Sequence, residues 1–250
     1  QGGVVYTASI NISPKTGYTL NGVSANFFTV SGATSVTNSA DSGAVTAVFP
    51  ATAITPITAI APTNGFAQVG QTLTAGSLTP SEATASYIWQ RSLTADGTYL
   101  DISGATASAY TLLAGDFNYF IRVKATGTGS YSETVTSYHR GPITARTISI
   151  KELTGSNLFP IAGNAGANSI NANAEYTGTV SWSPSLVDGL FAGNTEYTAT
   201  VNIAAKSGYT INGLAADFFT VSGATSVTNS TNSGVVTVVF PSTSKTPLAS

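Results

Sequence analysis

The feature that most constrains this chain is a long internal repeat. Residues Tyr6–Thr52 read YTASINISPKTGYTLNGVSANFFTVSGATSVTNSADSGAVTAVFPAT, and Tyr197–Thr243 read YTATVNIAAKSGYTINGLAADFFTVSGATSVTNSTNSGVVTVVFPST. The two stretches align at an offset of 191 with 33 identities in 47 positions and no gap. One folding unit is therefore used twice, and both copies obey the same packing rules. Apolar positions exchange for apolar ones, as in Ile10/Val201, Leu20/Ile211 and Val23/Leu214. Polar positions exchange freely, as in Thr16/Ser207, Asn26/Asp217 and Asp41/Asn232. A packed β framework with a tolerant surface varies in this way. Lys15/Lys206 is the only matched charge and no acid faces an acid, so carboxylate chemistry is not shared by the copies.

The second copy has more chain in front of it. Thr147–Pro241 spans 95 residues, close to the roughly 100 of a single two-sheet β domain. The first copy lacks this front half. A different segment of similar length, about Pro56–Ile143, lies between them. The expected layout is the C-terminal half of a type A module at 1–52, a type B module at 53–144 and a complete type A module at 145–245. The start of a further linker follows at 246–250. The Pro/Thr stretches Pro50–Pro62 and Pro241–Pro247 read as semi-rigid linkers. Because the post-A linker recurs, the chain reads as a window on a longer A-B-A-B array.

The local signals are those of short strands. Tyr197–Ile203 alternates, with Tyr197, Ala199, Val201 and Ile203 on one face. Gly234–Phe240 and Phe218–Ser222 read as strands, with Gly-Tyr and Asn-Gly turns between them. In the B module, Ser86–Gln90, Tyr110–Leu113, Tyr119–Ala125 and Tyr131–Tyr138 read as strands. The 39 Thr and the run of Val disfavour helix. The expected fold class is all-β, as tandem β-sandwich modules.

Composition excludes several functions. Charged residues make up 8% of the chain, against roughly 25% in typical soluble proteins. A net charge of −2 without a basic cluster argues against nucleic-acid binding. No stretch is long and apolar enough for a membrane span. There is no Cys for disulfides or thiolate–metal sites. Apolar residues at 42% still suffice to build cores.

The B module carries Val69-Gly70-Gln71-Thr72-Leu73, Ile88-Trp89-Gln90-Arg91-Ser92, Gly104-Ala105-Thr106 before Tyr110-Thr111-Leu112, and Gly115-Asp116 leading into Phe120-Ile121-Arg122-Val123. Through these motifs it resembles the Ig-like repeats of large bacterial surface proteins. The A module resembles another bacterial Ig-like repeat through Tyr176-Thr177-Gly178, Trp182-Ser183-Pro184, the YTATVNI strand and GVVTVVFP. The resemblance implies tandem Ig-like sandwiches in exported stalks, surface layers or adhesins. Antibody-type Ig domains pair their central Trp with a disulfide, which is missing here.

Candidate chemistry is sparse. Trp89 and Trp182 could stack on a sugar ring, but the third strand of this fold usually carries a core Trp. His139-Arg140 reads as a surface pair near a hinge, and no nucleophile elbow frames a serine. Glu82, Asp96, Asp101 and Asp116 are spread too widely for a calcium site, and Asp96-Gly97 reads as a hairpin turn. A Lys–Asn isopeptide bond at Lys15 or Lys206 lacks a matched acid. No catalytic, cofactor or metal residues are assigned, and ligand-binding residues stay open. Asn11 and Asn229 lie in glycosylation sequons.

The expectation is a non-catalytic structural segment of an extracellular stalk, sheath or filament. Its partners would be other copies of itself or neighbouring repeats. Uncharged, Thr-rich edges lack the usual guards against pairing, so assembly by strand pairing or complementation is expected. The half module at 1–52 would expose Phe27, Val30, Val45 and Phe49. The alternative is an adhesin or carbohydrate-binding module that recognises surface glycans through loops of the B module.

Overall fold

The computed structural model describes residues 1–245. Residues 246–250, read above as the start of a linker, lie outside the described residues. Regular structure is nearly all strand, with a single 3-10 turn at Ala114–Asp116 among the described residues.

The two A copies each fold into their own sheet, with the same three-strand order in both. In the first, Ala44–Val48 lies between Thr7–Asn11 and Ser35–Asn38, all antiparallel. In the second, Val235–Val239 lies between Thr198–Ala205 and Ser226–Asn229. The registers agree at the offset of 191: Ile10 faces Val45 as Val201 faces Val236. The second copy adds a fourth strand, Tyr176–Ser183, on the free side of Thr198–Ala205. The alternation read from the sequence holds, because Tyr197, Ala199, Val201, Val236 and Val238 are all buried.

The identical turns are held by side-chain oxygens. Asn38 and Asn229 are buried, and each Oδ1 accepts from the backbone N–H of Phe27 or Phe218, at 2.9 and 2.8 Å. Asp41 Oδ1 accepts from Gly22 N–H at 2.6 Å, and Asn232 Oδ1 accepts from Gly213 N–H at the same distance. Only an acceptor oxygen is needed there, which is why an acid and an amide exchange freely. Phe218–Ser222 is not a strand. The N–H groups of Phe218 and Phe219 turn in to Asn229, leaving one isolated bridge from Thr220 to Glu152.

The B module centres on the sheet Thr134–Thr136, Phe120–Gly127, Ala85–Ser92, Leu100–Asp101, in that order. Trp89, Ile121, Val123, Leu73, Leu112 and Ile143 fill the core beneath it. The segment Tyr131–Tyr138 is interrupted at Glu133, whose φ is 69°. Residues 50–62 are more than a linker. Thr55–Pro56 runs parallel to Tyr131–Ser132, Ala59–Ile60 pairs with Leu78–Thr79, and Ile57 between them is buried.

The modules meet in tight contacts. A Cβ placed on Gly208 of the second A copy would lie 2.8 Å from Ala114 Cα of the B module. One placed on Gly2 would lie 2.8 Å from Ser130 Cα. Arg146, where B passes into A, packs over Gly70.

A buried carboxylate ties the B module together. Asp116 pairs with Arg91 at 3.1 Å and accepts from the Tyr110 hydroxyl at 2.7 Å and from Leu113 N–H at 2.9 Å. Burial, followed by the bond to Asp116, pushes the Tyr110 hydroxyl well above its ordinary range. Asp116→Ala leaves these donors unpaired, and is expected to cost about 2–3 kcal/mol. Chemical denaturation of the variant checks this.

Candidate functional site

The repeat works as an internal control: the same sequence appears once with a front half and once without. In the second copy, Trp182 and Phe191 from the front half flank Tyr197, with ring centroids at 6.3 and 4.9 Å. Phe159 meets Phe240 at 5.8 Å, and Tyr176 meets Phe219 at 6.1 Å. The Tyr197 hydroxyl accepts from Ala192 N–H at 2.9 Å. This aromatic seam leaves Tyr197 1% exposed. Its counterpart Tyr6 is 49% exposed. Val201 is fully buried while Ile10 is 37% exposed, and Phe27 is 62% exposed where Phe218 is half-buried. Val30 and Phe49 are half-buried. Val45 does not join the exposed set: it pairs with Ile10 and shares its face, but on the central strand both it and Ala47 are buried.

The open edge is as plain as the open face. Thr7–Asn11 ends its sheet. Ile12 N–H bonds to Gly43 C=O, so alternation sends the peptide groups of Ser9 and Asn11 to the unpaired side. The edge carries no charge, proline or bulge over these five residues, the usual devices that discourage pairing. Sequence reasoning marked this stretch through the repeat. Side-chain exposure separates its open face from the part that covers itself.

A second cluster lies on the outer face of the B sheet. Gln90 Nε2 donates to Asp101 at 2.6 Å, and Arg122 Nε donates to Gln90 Oε1 at 2.9 Å. The Arg122 guanidinium sits 4.1 Å from the Tyr99 ring centroid. Burial raises the Tyr99 hydroxyl, against the pull of Arg122. His139 stacks with Tyr138 at 4.3 Å and more loosely with Tyr99 at 6.5 Å. Tyr138 remains largely exposed. A cavity of about 300 Å³ is lined here by Asp96, Tyr99, Arg122, Ser137, Tyr138 and His139. The sequence singled out His139 and Asp96 separately, but strand pairing is what brings them beside Tyr99 and Arg122.

The remaining singled-out residues are placed as follows. Trp89 is fully buried and donates to Ala107 C=O at 2.9 Å. Trp182 is half-buried in the seam and donates to Ala167 C=O at 2.7 Å. Neither ring is a free platform. Arg140 holds Thr63 C=O through two donors. Glu82 stands apart from the Asp101 and Asp116 networks, and no cluster of three metal-ligating side chains occurs among the described residues. Lys206 Nζ bonds to Asn173 C=O, and Lys15 is exposed. Asn11 is exposed, whereas Asn229 donates its amide to the carbonyls of Ala215 and Ser230 at 3.0 Å. No helix among the described residues is long and apolar enough to cross a membrane. No family model matches this sequence, and no curated protein matches it significantly.

The front half is anchored by Glu175. Its carboxylate accepts from Ser149 N–H at 2.5 Å, Ser149 Oγ at 2.7 Å and Ile150 N–H at 2.9 Å. Burial alone would raise this carboxyl, but these bonds and Arg146 outweigh it and hold it below its ordinary value. The folded value therefore lies below the unfolded one. Its stabilisation is present above the unfolded value of about 4.3 and is lost as pH falls through the folded value. Acid titration should weaken the second A copy in that window, and Glu175→Gln should remove that component of the pH dependence, as followed by thermal denaturation. The seam makes a sharper prediction. Tyr197→Ala should cost about 3 kcal/mol, and Tyr6→Ala less than about 1 kcal/mol, in denaturant titrations of the two single variants.

Proposed function

We propose that the chain is a non-catalytic structural repeat segment of an extracellular cell-surface stalk, sheath or filament, built of tandem Ig-like sandwich modules. The observation that carries this reading is the joint between modules. Gly208, at a φ of 84°, lets Ala114 approach so closely that a side chain would clash. A packed joint transmits orientation from module to module, as a load-bearing array needs, where a flexible linker would not. Low charge leaves such an array with few groups that respond to salt.

Electron microscopy of native material tests the reading, with fibres or a lattice expected and isolated particles counting against it. Gly208→Leu should loosen the joint. Small-angle scattering should then report a broader distribution of maximum dimensions, while the denaturation midpoints of the separate modules stay in place.

A second reading has its own support. The exposed Tyr138 ring beside Asp96, Arg122 and His139 offers an apolar platform with charged hydrogen-bonding groups, which suits a sugar of a surface glycan. If glycan recognition is the function, Tyr138→Ala should abolish retention on a glycan panel without changing thermal stability.

A further inference from the structure

We propose that the open side of the first A copy is an acceptor for a front-half segment of the Thr147–Asn194 type, supplied from outside residues 1–250. This rests on the structural-repeat reading above and names the partner of its open edge.

The second copy shows what the occupant must do. Its front half pairs a strand with Thr198–Ala205, setting Trp182 opposite Ala199, Val180 opposite Val201 and Gly178 opposite Ile203. At the offset of 191, the same strand would set its Trp opposite Ala8, its Val opposite Ile10 and its Gly opposite Ile12. Aromatic rings equivalent to Trp182, Phe191 and Tyr176 would cover Tyr6, Phe28 and Phe49.

The glycines carry the same message independently. A Cβ on Gly223 would lie 2.7 Å from the Phe159 ring, and one on Gly213 would lie 3.0 Å from Thr147 Oγ1. Their counterparts Gly32 and Gly22 meet nothing within 4 Å. All four glycines have a positive φ, and the close approaches at them are filled in one copy and empty in the other. Gly17 is likewise open, where Gly208 receives Ala114. The vacant side therefore matches a front half that arrives with a B-type module before it.

The occupant is not the chain's own 147–194 segment. That segment is fully engaged with the second copy, and lending it to another molecule would open one face for each face closed. Such an exchange gains no contacts. One difference limits the ladder: Pro14 stands where Ala205 does, and the first copy's strand stops at Asn11. Pairing is expected over Thr7–Asn11 rather than over eight residues.

The test grafts a duplicate of residues 147–196 directly ahead of Tyr6, in place of residues 1–5, in the otherwise complete chain. Hydrogen exchange at the Ser9 and Asn11 amides should slow by more than about tenfold. Tyr6→Ala should then become as destabilising as Tyr197→Ala. Changing the grafted Trp to Ala and the grafted Val to Lys should restore fast exchange, while the native second copy reports that the chain still folds. A synthetic 147–194 segment added to the unaltered chain should protect the same two amides. Unchanged exchange in both the graft and the mixture would overturn the proposal. So would protection of Ser9 and Asn11 in a dimer of the unaltered chain, because the occupant would then be a second copy. A graft that closes the face, alongside native material that images as isolated particles, would remove the filament reading and leave the acceptor standing.

Discussion

The ladder between Tyr176–Ser183 and Thr198–Ala205 does two jobs in the A module. It pairs the backbone groups of a strand that would otherwise end the sheet. It also carries Tyr176 and Trp182 to the places where Phe219, Tyr197 and Phe240 need cover. Edge pairing and aromatic burial are coupled through one strand, so losing it opens both together. The first A copy displays that open condition within the same molecule. Its remaining sheet keeps its register, its buried asparagine and its buried Val45 and Ala47, while the face toward the missing strand stands exposed.

The few charges are used as local fastenings. Asp116 gathers Arg91, Tyr110 and Leu113 at the rim of the B core, and Glu175 gathers Ser149 and Ile150 where the front half of A begins. Asp101, Gln90, Arg122 and Tyr99 form a chain across the outer face of the B sheet. All of these charges lie outside the repeated stretches Tyr6–Thr52 and Tyr197–Thr243, which carry few charges of their own. Where the repeat needs a polar fastening in both, it uses an oxygen acceptor that Asn or Asp can supply. The Glu175 carboxylate, held below its ordinary value by its donors, loses that role on protonation, so acid loosens the start of the front half there.

Much of this was legible in the sequence. Period-two alternation in YTATVNI placed Tyr197, Ala199 and Val201 inside, and the gapless repeat required a common register. The alternation failed at Phe218–Ser222, because the Asn229 side chain captures backbone donors that a strand would have paired. Residues 50–62 looked like a linker, because prolines and threonines mask the short pairings that bury Ile57. The outer-face cluster was not legible as a unit. Tyr99, Arg122 and His139 lie far apart in sequence, and only the sheet register brings them together.

The sequence by itself determined that the chain is a repetitive β protein, that one unit occurs twice at a fixed offset, and which residues of that unit alternate inward. Those facts follow from identity at a fixed offset and from the geometry of a strand. Tertiary structure alone decided which side of the first copy is open, which glycines have an empty socket, and that both tryptophans are structural. These outcomes depend on what packs against a residue, and identical residues in the two copies have different neighbours.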